Sequence, residues 1–214
     1  MDLLSYKLGK KAGGGGGGGS SLDWEAIGFS SQPKSIEDGY NYAKTIQSNY
    51  NDNTSYKNDY NLVYFPYVDT SNRISFYQLF YNCVSLEEVA LFDTNWGTSF
   101  ANMFESCLAL KRIPQFDTNK GSILASAFSN CKSLKDVPIL DTSSATNMNF
   151  MFNGCESLTD ASLNNILKMC INATQISASA KTLQRIGLSE TQATRCQSLS
   201  NYQDFLDAGW TTGY

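Results

Sequence analysis

Apolar and polar positions repeat along the middle of the chain at one fixed interval. Phe80, Phe104, Phe128 and Phe152 are 24 residues apart, as are Cys83, Cys107, Cys131 and Cys155, and Leu86, Leu110, Leu134 and Leu158. Asp69-Thr70, Asp93-Thr94, Asp117-Thr118 and Asp141-Thr142 extend the period one unit toward the N-terminus, and Pro66, Ala90, Pro114 and Pro138 keep the same register. Ungapped agreement over so many columns marks a stacked repeat. No single unit buries its own apolar face, so neighbouring units must share one core. Within a unit, Phe76, Leu79, Phe80 and Cys83 fall at i, i+3, i+4 and i+7, the spacing of one helical face. Phe100, Met103, Phe104 and Cys107 repeat it, then Leu124, Ala127, Phe128 and Cys131, then Met148, Met151, Phe152 and Cys155. The stretches 86–92, 110–116, 134–140 and, more weakly, 62–68 read as strands ending at Asp-Thr, a pair suited to an Asx turn and a helix start. The predicted unit is strand, turn, short helix, Cys and loop. The predicted fold is α/β, a short solenoid with a parallel sheet on one wall and short helices opposite.

An open solenoid exposes its terminal core, so both ends need covering. Ile36, Tyr40, Ala43, Ile46 or Gln47, and Tyr50 step at helical intervals and predict an N-terminal capping helix over roughly 35–50. After Leu158 the period breaks. Leu163, Ile166, Leu167 and Cys170 predict a helix opening at Thr159-Asp160. Ser189 to Gln192 and Ser200 to Gln203 have the capping-box pattern and predict two more short helices, the second stopped by Gly209, with Trp210 folding back as a plug. The chain thus divides into an N-terminal peptide (1–12), a Gly/Ser linker (13–21), an N-terminal cap (22–61), four 24-residue repeats (62–157) and a helical C-terminal cap (158–214).

The run [Met/Ala]-Phe-x-x-Cys-x-x-Leu-x-x-[Val/Ile]-Pro-x-h-Asp-Thr-[Ser/Asn], covering 62–157, resembles the BspA-like leucine-rich repeat family. The closing segment from Asn201 to Tyr214 is similar to flanks of phage-associated members. The resemblance implies a surface protein, of a bacterium or of a bacteriophage virion. The sequence departs from the family pattern at Tyr67 and Val68 in the first repeat and after Leu158 in the fourth, which lacks a proline strand.

Composition narrows the chemistry. The 214 residues include 16 Lys+Arg, 20 Asp+Glu and no His, for a net charge of -4. Without His there is no Ser-His-Asp or Cys-His pair, no His-bound zinc and no HExxH site. The acidic balance disfavours nucleic acid, whose phosphates need a basic field. No paired carboxylates, nucleophile or phosphate loop stands out, so neither an enzyme nor a cofactor is expected. No apolar run reaches the ~18 residues of a membrane helix, and the first twelve residues lack the apolar region of a secretory signal.

Five features remain as candidates. The cysteine column is either a metal stack or disulfide ladder, or a buried thiol column. Its inward phase and the absence of any C-x-x-C pair favour the second. The Asp column is either a calcium ladder or four turn-forming carboxylates, with the turns favoured. On the strands, Glu88, Arg112 and Asp136 should be neighbours, as should Glu87, Lys111 and Lys135. They form either register-fixing pairs on a solvated wall or a recognition face. Ten of the twelve Tyr lie before residue 82, among many Asn. Tyr64 and Tyr67 suit contact with carbohydrate or protein, or close the solenoid end. Leu3, Leu4 and Leu8 precede seven consecutive Gly, a tether spanning ~15 Å, and read as a docking peptide for other virion or surface-assembly proteins. The expected function is a non-enzymatic, surface-displayed binding module. The first expectation is a bacteriophage virion protein of tail-fibre or adhesin type contacting host-surface glycan or protein. The alternatives are a bacterial surface adhesin and a particle decoration protein.

Overall fold

The computed structural model describes residues 56–65, 70 and 72–214. The N-terminal peptide with Leu3, Leu4 and Leu8, the glycine run, the predicted helix over 35–50, and Tyr67, Val68, Pro66 and Asp69 all lie outside these residues. Along the described chain, successive 24-residue coils lie side by side. Strand β1 (Tyr64–Phe65) pairs in parallel with β2 (Glu88–Val89), Tyr64 against Glu88 and Phe65 against Val89. The same register recurs as single parallel bridges at Arg112↔Asp136 and along Ser75, Ser99, Ile123 and Asn147. The strand wall is therefore short. Its backbone bonds run from each coil to the one before it, as in Lys111 N to Glu87 O (3.1 Å) and Lys135 N to Lys111 O (2.9 Å).

The segments predicted as short helices are not helical. Each is a run of tight turns with a left-handed residue every fourth position: Gln78 and Asn82 (φ 56° and 60°), Asn102 and Ser106, Ser126 and Asn130, Phe150 and Gly154. Alternate N–H groups bond within the coil, as Leu79 N to Phe76 O and Cys83 N to Phe80 O (both 3.2 Å). The intervening ones bond the next coil: Phe76 N to Ser99 O (2.8 Å), Gln78 N to Ala101 O (3.1 Å), Phe80 N to Met103 O (2.8 Å) and Asn82 N to Glu105 O (2.7 Å). A helix would bond its donors internally past the first turn and offer none of those to a neighbouring coil. The turns spend half of them on joining coils, which is why the backbone prefers them here. A four-residue turn period also puts Phe76, Leu79, Phe80 and Cys83 on one side, so the apolar pattern alone does not separate the two.

That side forms the core. Phe80, Phe104, Phe128 and Phe152 stack in one column at 5.0, 5.7 and 5.6 Å between centroids. Tyr56, buried, adds a further ring 5.6 Å from Phe80. It occupies the Phe position one period earlier, so the pattern begins ahead of the predicted boundary at residue 62. Phe76 and Phe100 make a second stack at 5.3 Å. Gly97 packs beneath it, where a Cβ would come within 2.4 Å of the Phe100 ring.

Past Leu158 the coil gives way to helix α1 (Asp160–Asn172), a 3₁₀ turn (Ala178–Ala180), α2 (Glu190–Cys196) and α3 (Tyr202–Asp207). Thr159 caps α1 by accepting from Ser162 N, and Ser189 with Gln192 forms the predicted capping box of α2. The box predicted at Ser200 to Gln203 does not form. The N-cap of α3 is Asn201, whose side chain donates instead to Asn164 Oδ1 (2.8 Å), tying α3 to α1. Gly209 follows α3 with φ 83°, and Trp210 is buried, as the plug reading expects.

These elements satisfy the last coil. Arg185 O and Ile186 O accept from Phe150 N (2.8 Å) and Phe152 N (2.9 Å). Ser162 Oγ donates to Lys135 O (2.7 Å) and accepts from Val137 N (2.9 Å), and Asn165 Nδ2 donates to Val137 O (2.9 Å). No helix among the described residues is long and apolar enough to cross a membrane.

Replacing Phe104 by Ala removes a fully buried ring held between two others. It is expected to destabilise by ~3–5 kcal/mol. Equilibrium urea unfolding measures this, and a loss below ~1 kcal/mol contradicts a shared aromatic core.

Candidate binding surface

The strand-wall charges come together as spaced, with one correction. Lys111 Nζ lies 2.7 Å from Glu87 Oε2, and the Tyr64 hydroxyl donates to the same oxygen at 3.4 Å. The Glu87 carboxylate raises the pKa of the Lys111 ammonium above its usual value. Arg112 approaches Glu88 at 3.8 Å. Glu88 was expected on a solvated wall, yet it is buried, and burial raises its carboxyl pKa against the pull of Arg112. Glu88 is therefore a structural partner of Arg112 and not a contact residue. Lys111, Lys135 and Asp136 remain exposed, with Tyr64 and Arg112 half-buried.

The Asp column makes the expected Asx turns. Asp93 Oδ1 accepts from Asn95 N (2.9 Å), Asp117 Oδ1 from Asn119 N (3.1 Å) and Asp141 Oδ1 from Ser143 N (2.9 Å). The bonds from Ser143 lower the Asp141 pKa. No helix follows these turns. The adjoining Thr side chains are buried and donate to the next coil: Thr94 to Asp117 O and Thr118 to Asp141 O, both at 2.8 Å. Among the described residues, no group of three or more Cys, Asp or Glu is placed to hold a metal ion.

The cysteine column also has a bonding role. Each thiol donates to the carbonyl of the column Phe, or Tyr56, in the coil before: Cys83 to Tyr56 O (2.8 Å), Cys107 to Phe80 O (3.0 Å), Cys131 to Phe104 O and Cys155 to Phe128 O (both 3.1 Å). All six cysteines are free and buried, including Cys170 and Cys196 on the terminal helices. Burial raises the thiol pKa to about 12 at Cys83 and Cys155 and to about 11 at Cys196.

The N-terminal tyrosines split between the two readings. Tyr56 closes the core, whereas Tyr60 and Tyr77 are exposed. Other exposed aromatics escaped the sequence reading. Trp96 stands 54% exposed with Lys120 Nζ 3.5 Å above its ring. Phe150 is 56% exposed in left-handed backbone. That conformation costs an L-residue ~1–2 kcal/mol. The preceding coils put Gln78, Asn102 and Ser126 at this position, and the break from polar to aromatic was the available signal. Beside it, the seam between the fourth coil and the C-terminal segment holds a crevice of about 220 Å³. Asn147, Asn149, Arg185 and Trp210 are among its lining residues.

A family model described as "Mycoplasma protein of unknown function, DUF285" matches residues 74–186. No curated protein and no solved structure matches the chain.

The raised thiol pKa values imply slow alkylation of the native protein, because the thiolate is the reacting form. Native protein is expected to resist a maleimide, and protein denatured without reductant to take up close to six equivalents. Fast native labelling, or fewer than six sites after denaturation, contradicts a column of buried, hydrogen-bonded thiols.

Proposed function

This chain belongs to the DUF285 family, and we propose that it is a non-enzymatic binding module, a short leucine-rich-repeat solenoid displayed on a surface to contact host-surface glycan or protein. The observation that supports this reading is the division of labour among the repeated residues. Phe, Cys, Leu and Thr are buried, and the Asp carboxylates are engaged in turns, so the columns that recur serve the scaffold. What varies from coil to coil is on the outside: Trp96, Lys111, Lys120, Asp136 and Phe150. A scaffold that holds its backbone constant and varies its exterior suits recognition.

The resemblance to phage-associated proteins supports display on a virion, with Leu3, Leu4 and Leu8 docking into the particle through the glycine tether. A bacterial cell-surface adhesin is the second reading, favoured by the Mycoplasma description of the family. Mass spectrometry of purified particles is expected to detect the chain, and deletion of residues 1–19 to abolish its incorporation without changing its melting temperature. Detection only in cell envelopes selects the adhesin. Binding of the purified chain to host cells is expected in either case, and its absence overturns the recognition reading in favour of decoration.

A further inference from the structure

The crevice at the fourth coil has the chemistry of a small acidic-ligand site. Arg185 is the charged residue among those lining it, and none of them is acidic. The Arg185 guanidinium is fixed through Nε, which donates to Asn149 Oδ1 at 3.1 Å. Its terminal nitrogens make no bond to a described residue, and Arg185 is exposed. Asn149 is oriented in turn, its backbone N–H bonded to Asn147 Oδ1 at 3.0 Å. Thr146 and Ser177 add hydroxyls to the lining. Trp210 is also among the lining residues, and its indole N–H is buried with no acceptor among the described residues, a rare condition in a folded chain. Phe150 is not among the lining residues, but it follows Asn149 in the chain and bonds its N–H to Arg185 O, so its exposed ring is carried on the same backbone seam as the Arg.

We infer that this crevice binds a carboxylate-bearing saccharide unit. The guanidinium takes the carboxylate, which it matches in planar two-pronged geometry. Asn149 and the hydroxyls take the sugar hydroxyls. The apolar face of a pyranose packs on the exposed Phe150 ring, the amphipathic contact aromatic side chains provide. This inference rests on the glycan branch of the proposed function and adds to it a site and a ligand class.

The test uses the full chain, titrated by NMR or calorimetry with glucuronic acid and N-acetylneuraminic acid, with glucose as the neutral control and inorganic phosphate as competitor. An acidic sugar is expected to bind in the millimolar range, at least ~10-fold tighter than glucose. Arg185→Gln should abolish that preference. Trp210→Phe keeps the ring, loses the N–H and should weaken binding several-fold. Phe150→Asn, which restores the polar residue type of the other coils, should weaken binding while the melting temperature stays equal or rises. The inference is overturned if neither acid binds, if glucose binds equally, if Arg185→Gln leaves the preference intact, or if phosphate outcompetes both acids. Host-cell attachment by the same variants separates the two levels. Attachment that persists in Arg185→Gln, with no acid preference in the unaltered chain, removes this site and leaves the proposed function standing. Acid binding without attachment by the unaltered chain keeps the site and removes the proposed function.

Discussion

The structure depends on how the turn wall disposes of its backbone N–H groups. Each coil bonds alternate donors to itself and the rest to its neighbour, so no coil is complete alone. The two walls run in opposite senses. Turn-wall donors point to the following coil, as Phe80 N to Met103 O, while strand-wall donors point back, as Lys111 N to Glu87 O. A one-residue slip of either wall would oppose like groups and turn core residues outward, which fixes the 24-residue register more firmly than side-chain packing alone could. The same constraint defines what an end must supply. The fourth coil presents donors at Phe150 and Phe152 and acceptors at Lys135 and Val137, and the C-terminal segment meets both sets with backbone carbonyls on one side and Ser162 and Asn165 on the other.

The two polar columns inside the coils extend this logic to side chains. Cys donates to the preceding coil and Thr to the following one, each to a backbone carbonyl. Both are small groups that fit a tight corner. The thiol adds a second bond to a carbonyl that already accepts a backbone N–H, as Phe80 O does from Cys83 N, while the Thr hydroxyl partners the Asp carbonyl of the following coil. Leaving a buried carbonyl bare costs ~1–3 kcal/mol. Their repetition therefore reflects packing and bonding together, and the same burial pushes the Cys83 and Cys155 thiols up to about 12, away from the reactive thiolate near neutral pH.

Much of this is legible in the sequence. The core columns could be read because stacking imposes the same burial on every copy. The boundaries of α1 and α2 could be read because Thr159 and Ser189 act locally. The turn wall was misread as helical because i, i+3, i+4, i+7 is produced by both a helix and a four-residue turn period. The discriminating signal sat at other positions. Asn82, Asn130 and Gly154, together with Asn102, are residue types that accept left-handed backbone, four apart from their counterparts in each coil. Glu88 was misplaced for a different reason. Strand alternation assigns faces but does not say which face neighbours will cover, and a two-residue strand offers too little alternation to decide. Arg185 and Trp210 belong to no column, so periodicity could not bring them to Asn149.

That last failure carries a structural point. The C-terminal segment completes the fourth coil without becoming a fifth. Arg185 O and Ile186 O stand in for carbonyls that lie 23 residues ahead within the repeats, but they come from 35 and 34 residues ahead. Only their backbone is needed for the seam, so the side chains around it are released from the repeat. The polar position taken by Gln78, Asn102 and Ser126 can become Phe150, and an Arg can stand beside it without an acidic partner. In a fold where every internal coil must satisfy two neighbours, the place with the most freedom to carry specific chemistry is the last coil, where one neighbour is a cap.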